Sequence, residues 1–395
     1  MMRRHEGPRH GAAALALVVA LAACAPGASP PRAGGDAGPA GGLATSAATT
    51  PPAGSAVATP GAAESLEQIV AAARQEGQLT LTWTENVGSR EGIRRWIEGF
   101  NPAYGLSLDV RYTPGPAMPE LANKIAQEAQ AGRPASSDVL VIPDDQLVPM
   151  IRQNVLEPVP WTAWAPNIRD PALLAPGGVA VQIGSRVAGI TYNTNKVRAD
   201  EVPTSLQDLL KPQYKGRVAS TIYAAGFDVL ASPELWGEQR TVDYVTRLAN
   251  QVSGLMRCGE MERIASGEFD LLAIDCGSFV ARRLQPTGAP IGHVIPTDAA
   301  LLSYWYMGVP RNAAHPNAAK LWINYVLSRA AQDILYDGVF IDQHRLPGSK
   351  AAAEIEALEA RGIKFTETNA EFYTRNDEED LNRISGELQR ILQQR

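Results

Sequence analysis

The chain has 395 residues, of which 45% are hydrophobic and 20% are charged, a composition typical of folded water-soluble proteins and sufficient for two lobes that each bury a core. Its net charge of −6 argues against a nucleic-acid-binding surface, which would be basic, and its three cysteines are too few for a disulfide scaffold.

Residues 1–23 have the pattern of a secretory signal peptide. Arg3 and Arg4 precede an apolar run over residues 11–23, which is too short to span a membrane as a stable helix. The run ends in "LAAC", which resembles a bacterial lipobox, so we expect cleavage before Cys24 and attachment of lipid to its sulfur. Ordinary cleavage without lipid is the alternative. No later segment is apolar enough to span a bilayer, so we expect the acyl chains to be the membrane anchor.

Residues 24–63 consist mainly of Ala, Gly, Pro, Thr and Ser. Such a segment has almost no large side chains, so it cannot bury enough apolar surface to offset the entropy lost on ordering. We therefore predict a flexible, partly extended tether between a lipid anchor and a folded body. The folded body is expected to begin near Glu64.

Helices and strands alternate from residue 64 onwards. Ser65 and Gln68 form a capping-box pattern, and Gly77 ends the predicted helix. The stretches "LTLTW", "LSLDVRY" and "DVLVI" read as strands separated by two further helices. Repeated strand–helix units predict an α/β lobe with parallel strands.

A second α/β unit is predicted after an irregular stretch that is rich in Pro and Trp. "VAVQIGSRVAGITYN" contains two short apolar stretches broken by Gly184 and Ser185, and a strand is expected at 270–274. "APIGHVIP" and "LLSYWYMGV" are again typical of strands. Pro316 suits the first position of a helix, and a further amphipathic helix ends the chain.

Several stretches occur in the order and spacing of a known family. They are "LEQIVAAARQEGQLTLTWTE", "GITYNTNKVRADEVPTSLQDLLKPQYKGRVA", "ASGEFDLLAID", "GAPIGHVIPTD" and "AAHPNAAKLWINYVLSRAAQDIL". Together they span about Leu66 to Leu335 and resemble bacterial extracellular solute-binding proteins of ABC importers. The most similar branch contains binders of ferric iron, spermidine or putrescine, and phosphonates.

This resemblance implies a two-lobed type II periplasmic-binding-protein fold, of the α/β class, with crossing hinge strands. We expect a first lobe from residues 64–190 and 300–395 and a second lobe from residues 191–299. The implied function is capture of a small solute in the interlobe cleft and delivery to an ABC permease and its ATPase. We expect a monomeric, extracytoplasmic lipoprotein that binds no nucleic acid and needs no cofactor.

Candidate ligand contacts in the first lobe follow the predicted strands, because ligands of open α/β sheets bind at the carboxyl ends of strands. Glu85 and Asn86 follow the first strand, and Asp144 follows the third. Asp144 has an alternative role as a helix N-cap, a position that favours aspartate.

Candidate contacts in the second lobe and the hinge are Tyr223, Ser278, Tyr192 and Tyr304. Tyr223 is expected to stack on a ligand, and Ser278 lies in the loop after the strand that ends at Asp275. Tyr192 and Tyr304 lie on the expected crossing strands. Each tyrosine has core packing with a satisfied hydroxyl as its alternative.

The sequence contains no catalytic motif of the common hydrolase, metalloprotease or nucleotide-binding types, so we expect a binding protein and not an enzyme. A sensory or enzymatic variant of the fold is the alternative.

The sequence does not select one class of solute. Ferric binders of the resembling group use two adjacent tyrosines after the strand that ends here at Asp275. This chain has "DCGSFV" at that place, with no tyrosine pair. We therefore assign no metal ligand. A ferric-iron site built from other ligands stays an alternative. For a polyamine, Asp275, Asp298, Trp83 and Trp305 are further candidates.

Cys258 and Cys276 remain as a pair if Cys24 is acylated. Thiols tend to oxidise outside the cytoplasm, so the hypothesis is a disulfide between them. Two small, buried, unbonded side chains are the alternative.

Overall fold

The computed structural model describes residues 64–376 and 378–394. The predicted signal peptide, Cys24 and the tether lie outside the described residues. The helices in the described part of the chain are α1 Leu66–Glu76, α2 Ser89–Tyr104, α3 Met118–Gln130, α4 Asp144–Arg152, α5 Trp161–Trp164, α6 Phe227–Leu230, α7 Glu238–Ala249, α8 Glu262–Ala265, α9 Phe279–Arg282, α10 Pro316–Val326, α11 Arg329–Val339, α12 Lys350–Glu359, α13 Ala370–Arg375 and α14 Glu378–Gln393. The strands are β1 Gln78–Trp83, β2 Asp109–Pro114, β3 Leu140–Pro143, β4 Ala180–Ala188, β5 Ile190–Asn193, β6 Val218–Thr221, β7 Val252–Met256, β8 Leu271–Leu272, β9 Ile291–Val294, β10 Leu301–Gly308 and β11 Thr366–Glu367. No helix in these ranges has the length and apolar character needed to cross a bilayer.

The first lobe is built around β1, β2, β3, β4 and β10. Strands β1 and β2 are parallel, and a parallel bridge between Leu81 and Val139 places β3 on the other side of β1. Strand β10 pairs antiparallel with both β3 and β4. The predicted helix–strand alternation therefore forms a sheet whose first three strands point their carboxyl ends the same way.

Aromatic side chains fill the core of the first lobe. Trp96 and Phe100 lie on the buried face of α2, where the helical spacing places them, and both pack edge-on against Trp322 of α10. Their large buried area makes this cluster a major source of stability.

The second lobe contains a five-stranded sheet in the order β7–β6–β8–β5–β9. Strands β7, β6 and β8 are parallel, whereas β5 runs antiparallel to β8 and β9. The loops after β6, β7 and β8 therefore emerge at the same edge of the sheet.

Two chain segments cross between the lobes. Strand β4 continues into β5 after the single residue Gly189, and β9 returns to the first lobe as β10. A Cβ atom at Gly189 would lie 2.5 Å from the carbonyl oxygen of Val294 and 2.7 Å from Cε1 of His293. Only glycine fits here without a shift, because the two crossing segments pass in close contact.

The C-terminal helix packs on the second lobe and not, as predicted, on the first. Residues 300–395 were expected in the first lobe, but α14 packs against α6 and α7. Its side chains Ile384, Leu388 and Leu392 belong to the core of the second lobe. The apolar face of this helix is evident in the sequence, but the partner of that face is decided by the path of the chain.

Asp275 joins the crossing segments at the end of β8. It is 1% exposed, and its carboxylate accepts hydrogen bonds from the Gly189 N–H at 3.0 Å, the Thr191 hydroxyl at 2.7 Å and the Gly277 N–H at 2.9 Å. His293 Nε2 lies 3.0 Å from the same carboxylate. Burial alone would raise the pKa of Asp275, but the His293 charge and these hydrogen bonds outweigh burial and hold the pKa below its usual value.

We predict that Asp275→Asn lowers the free energy of unfolding at pH 7 by about 3 kcal/mol, because it removes the charge while its amide group faces N–H donors. Because the folded pKa of Asp275 is depressed, this stabilisation is present above the unfolded pKa and is lost as the pH falls through the folded pKa. Urea unfolding measures both effects. Asp200→Asn, at an exposed surface ion pair, is the control and should change stability by less than about 0.5 kcal/mol. Equal loss in both variants would contradict the prediction.

Candidate functional site

A cavity of about 770 Å³ lies between the two lobes at the carboxyl ends of three strands. Asp144 follows β3 of the first lobe, and Tyr223 and Asp275 follow β6 and β8 of the second lobe. Arg186 of the crossing strand β4 completes this part of the wall. Ligands of open α/β sheets bind beyond the carboxyl ends of strands, so this cavity is the candidate site.

Asp144 is an acid poised between its two protonation states. It is 2% exposed, accepts a hydrogen bond from the Tyr304 N–H at 2.9 Å and lies 3.4 Å from the Arg186 guanidinium. Burial raises the pKa of Asp144 to about 7; the Arg186 charge opposes this shift and the adjacent Asp145 charge adds to it. A bound cation would therefore displace a proton from this carboxyl group.

Asp228 supplies a second perturbed acid from the other lobe. It lies in the first turn of α6 and is half-buried. Burial raises the pKa of Asp228 to about 6, hydrogen bonding to the Val229 N–H opposes this shift, and the charge of Asp145 raises the pKa further. Because Asp145 belongs to α4 of the first lobe, carboxylates of opposite lobes repel each other across the cavity.

Tyr373 of α13 adds a neutral phenol to the same wall. Burial, followed by the charges of Asp144, Asp145 and Asp228, raises the pKa of Tyr373 well above its usual value. The hydroxyl therefore keeps its proton at neutral pH and can donate a hydrogen bond to a ligand.

Arg186 is the only basic side chain among the described residues that line this cavity. Its guanidinium lies near Asp144 and 5.7 Å from the centre of the Trp305 ring, and its Nε has no hydrogen-bond partner. Four lining aspartates outnumber it: Asp144, Asp145, Asp228 and Asp275. The cavity is therefore acidic.

A disulfide joins Cys258 and Cys276, whose Cα atoms are 5.8 Å apart. Of the two possibilities that the sequence left open for these cysteines, the structure has the disulfide and not two unbonded side chains. Cys276 lines the cavity, and the Cys258 N–H donates a hydrogen bond to the Tyr223 hydroxyl at 2.8 Å. The disulfide thus belongs to the second-lobe wall of the site.

The structure brings together only some of the predicted ligand contacts. Asp144 and Tyr223 line the interlobe cavity, and Ser278 lines a second cavity of about 650 Å³ beside α9. The other four line neither cavity: Glu85, Asn86, Tyr192 and Tyr304.

Local contacts explain where these other residues lie. Tyr304 is 0% exposed and its hydroxyl donates to Glu367 at 2.8 Å, so the prediction of a solute contact is corrected to a core position that supports Asp144. Glu85 pairs with Arg90 at 2.9 Å. The roles proposed for Glu85, Asn86 and Tyr192 stay predictions without a place in this cavity.

The residues considered for a polyamine are also dispersed. Trp83 and Trp305 are 0% and 1% exposed in the core of the first lobe, and Asp298 accepts a hydrogen bond from the Leu206 N–H at 2.8 Å. Among the described residues there is no group of three or more His, Cys, Asp or Glu side chains arranged to hold a metal ion.

Sequence reasoning missed Arg186, Asp228 and Tyr373. Arg186 is the only charged residue in "VAVQIGSRVAGITYN", and this isolation was a usable signal. Asp228 follows a strand and Gly226, the pattern of a ligand-facing loop. Tyr373 had no local signal, because it enters the cavity from a segment distant in sequence.

Comparison with known proteins yields one family match and several structural relatives. A family model described as "Bacterial extracellular solute-binding protein" matches residues 137–369. A protein named "Fe(3+)-binding periplasmic protein" from Serratia marcescens is 24% identical over 260 residues, which cover 62% of this chain and 72% of the relative.

Two solved structures illustrate the likeness of fold. The substrate-binding protein of an ABC transporter from Agrobacterium tumefaciens has a TM-score of 0.65 at 17% identity, covering 81% of this chain and 96% of its own. Iron-bound HitA from Pseudomonas aeruginosa has a TM-score of 0.59 at 19% identity, covering 80% and 99% respectively. These matches show the two-lobed periplasmic-binding fold that the sequence predicted.

The raised pKa of Asp144, to about 7, predicts a distinct pH dependence of stability. Between the unfolded value near 4 and the folded value, the folded protein binds more protons, so this group makes stability fall as the pH rises. Asp144→Asn removes this dependence. We expect its stability relative to the natural protein to increase by more than about 1 kcal/mol between pH 4.5 and pH 8 in urea unfolding. Asp200→Asn should show no such change, and a constant difference for Asp144→Asn would contradict the prediction.

Proposed function

The chain belongs to the bacterial extracellular solute-binding protein family, and we propose that it captures a small cationic solute between its lobes and delivers it to an ABC permease with its ATPase. The acidic interlobe cavity is the observation that supports a cation. The proposal includes no chemical step. A sensory role would use the same capture event with a different partner.

The crossing strands support capture by closure of the two lobes. They meet at Gly189, where the close approach of the His293–Val294 segment confines the hinge to a short stretch. Closure around a solute is a hinge motion in proteins with two lobes around one cleft. Closing this cleft brings Asp145 and Asp228 together, so an empty closed state is disfavoured by repulsion and a bound cation relieves it.

Two features favour an organic cation over other solutes. The cavity offers carboxylates together with the rings of Tyr223 and Tyr373, and aromatic rings attract ammonium groups. The stretch "DCGSFV", which begins at Asp275, contains no tyrosine pair of the kind that the resembling ferric binders use. A ferric complex is the second candidate, because a relative from Serratia marcescens is named as a binder of Fe(3+) and because carboxylates suit hard cations.

The route to the permease is proposed from the N-terminal sequence. Residues 1–23 direct export, Cys24 receives lipid, and residues 24–63 tether the folded body to the membrane surface. The tether keeps the solute near the permease at a high effective concentration. We propose that the protein acts as a monomer outside the cytoplasm.

A thermal-shift screen tests the solute class. Spermidine and putrescine are expected to raise the melting temperature, with ferric citrate, methylphosphonate and glucose as comparisons. A ligand at a hundredfold its Kd adds about 2.7 kcal/mol of stability. The shift should be larger at pH 8 than at pH 5.5, because Asp144 and Asp228, with pKa values of about 7 and 6, must ionise.

Asp228→Asn should weaken the shift, and the exposed control Asp200→Asn should preserve it. A shift with ferric citrate alone would favour the second candidate. A response only to methylphosphonate or glucose would contradict the cationic assignment.

Cys24→Ser tests the membrane anchor separately. Detergent phase partitioning of the protein expressed with its own N-terminus should place the natural protein in the detergent phase, because acyl chains add about 0.8 kcal/mol per buried CH₂. The variant should stay in the aqueous phase. Partitioning of both proteins into the aqueous phase would exclude lipid on Cys24.

A further inference from the structure

Tyr223 is held in an unusual position for an aromatic residue. With 37% of its surface accessible, it is the exposed large hydrophobic side chain in the described part of the chain, and it lines the interlobe cavity. The following residue, Ala224, has a φ of 52°, a left-handed conformation that is rare outside glycine. Such a position persists only when neighbouring contacts hold it.

The hydroxyl of Tyr223 provides such a contact. It accepts a hydrogen bond from the Cys258 N–H at 2.8 Å and lies 4.0 Å from the Cys276 sulfur. Burial is the main cause that raises the pKa of Tyr223, so the phenol stays neutral at physiological pH. Both neighbours of this hydroxyl belong to the disulfide.

The disulfide spans the end of the strand from which Tyr223 emerges. Strand β6 lies between β7 and β8, Cys258 follows β7, and Cys276 follows β8. Alternate strands of a sheet are about 10 Å apart, yet the two cysteine Cα atoms are 5.8 Å apart. The loops after β7 and β8 therefore converge over the end of β6, where Tyr223 begins the cavity wall.

We propose that the Cys258–Cys276 disulfide is a positioning element of the solute site, which presents the Cys258 amide to the Tyr223 hydroxyl and so keeps the ring as an aromatic wall of the cavity. The proposal rests on the proposed function in one respect, that this cavity receives the solute. It assigns the ring the role of a stacking surface for an ammonium group between the carboxylates.

Hydrogen–deuterium exchange tests the positioning without any ligand. The full chain is compared with Cys258→Ser/Cys276→Ser and with the natural protein reduced by a dithiol. The reductant transfers two electrons and two protons to the S–S bond, giving two thiols and its own disulfide. We expect exchange in residues 221–226 and 257–261 to become about tenfold faster in both cases, with the amides of α2 and α10 unchanged.

Unchanged exchange in the two loops would overturn the proposal. Faster exchange over the whole second lobe in both the serine variant and the reduced natural protein would assign the bond a general stabilising role and overturn the proposal as well. The reduced natural protein, which keeps every side chain, separates this outcome from a folding defect of the serine variant.

Spermidine binding, measured by calorimetry, then tests the role in the site. Tyr223→Phe keeps the ring and loses the hydroxyl, and we expect roughly fivefold weaker binding and a small loss of stability, because the Cys258 N–H loses its acceptor. In the serine background the same substitution should have no further effect, because the two groups act through one contact. Tyr325→Phe in the first lobe is the matched control and should bind like the natural protein. Additive losses would overturn the coupling.

The two arms separate failure of this inference from failure of the proposed function. If the natural protein does not bind spermidine, the cationic assignment fails, and the exchange experiment alone decides whether the disulfide positions Tyr223. If spermidine binds with equal affinity to all variants, the cationic assignment stands and the positioning role is rejected.

Discussion

Asp275 is the group on which the geometry of the hinge and of the second-lobe wall depends. Its buried carboxylate accepts hydrogen bonds from Gly189 and Thr191 on one crossing segment, and it faces His293 on the other. It also accepts the Gly277 N–H and so shapes the loop that bears Cys276. A buried carboxylate is stable only while its hydrogen bonds and its charge partner are present, so these elements hold one another in register.

The candidate site follows from this constraint. The hinge sets how the lobes approach, and the approach places Asp145 of the first lobe near Asp228 of the second. The resulting repulsion and the raised pKa values of Asp144 and Asp228 describe a cavity whose carboxyl groups outnumber its one basic group, Arg186, among the described lining residues. In such a cavity, a bound cation would favour both ionisation of the acids and closure of the lobes, whereas ionisation without a cation opposes closure.

Sequence patterns predicted the elements and the fold class because these depend on local information. The capping box at Ser65 and Gln68 is present in α1, and the helix predicted after the first strand is α2. The parallel β1–β2 pair and the crossing strands also follow from strand–helix alternation and from resemblance to the family. The lobe assignment of α14 did not follow, because an amphipathic helix does not specify which core covers its apolar face.

The sequence by itself determined the strand ends that carry polar residues, and Asp144 and Tyr223 lie at two of the ends that line the interlobe cavity. Only the tertiary structure decided which of these ends meet. Tyr304 alternates with its neighbours on β10 in a way that the sequence cannot assign to core or cavity, and packing turned it towards Glu367. Tyr373 joins Asp144 and Asp228 from more than a hundred residues away, because side-chain convergence depends on how separate elements pack and not on spacing along the chain.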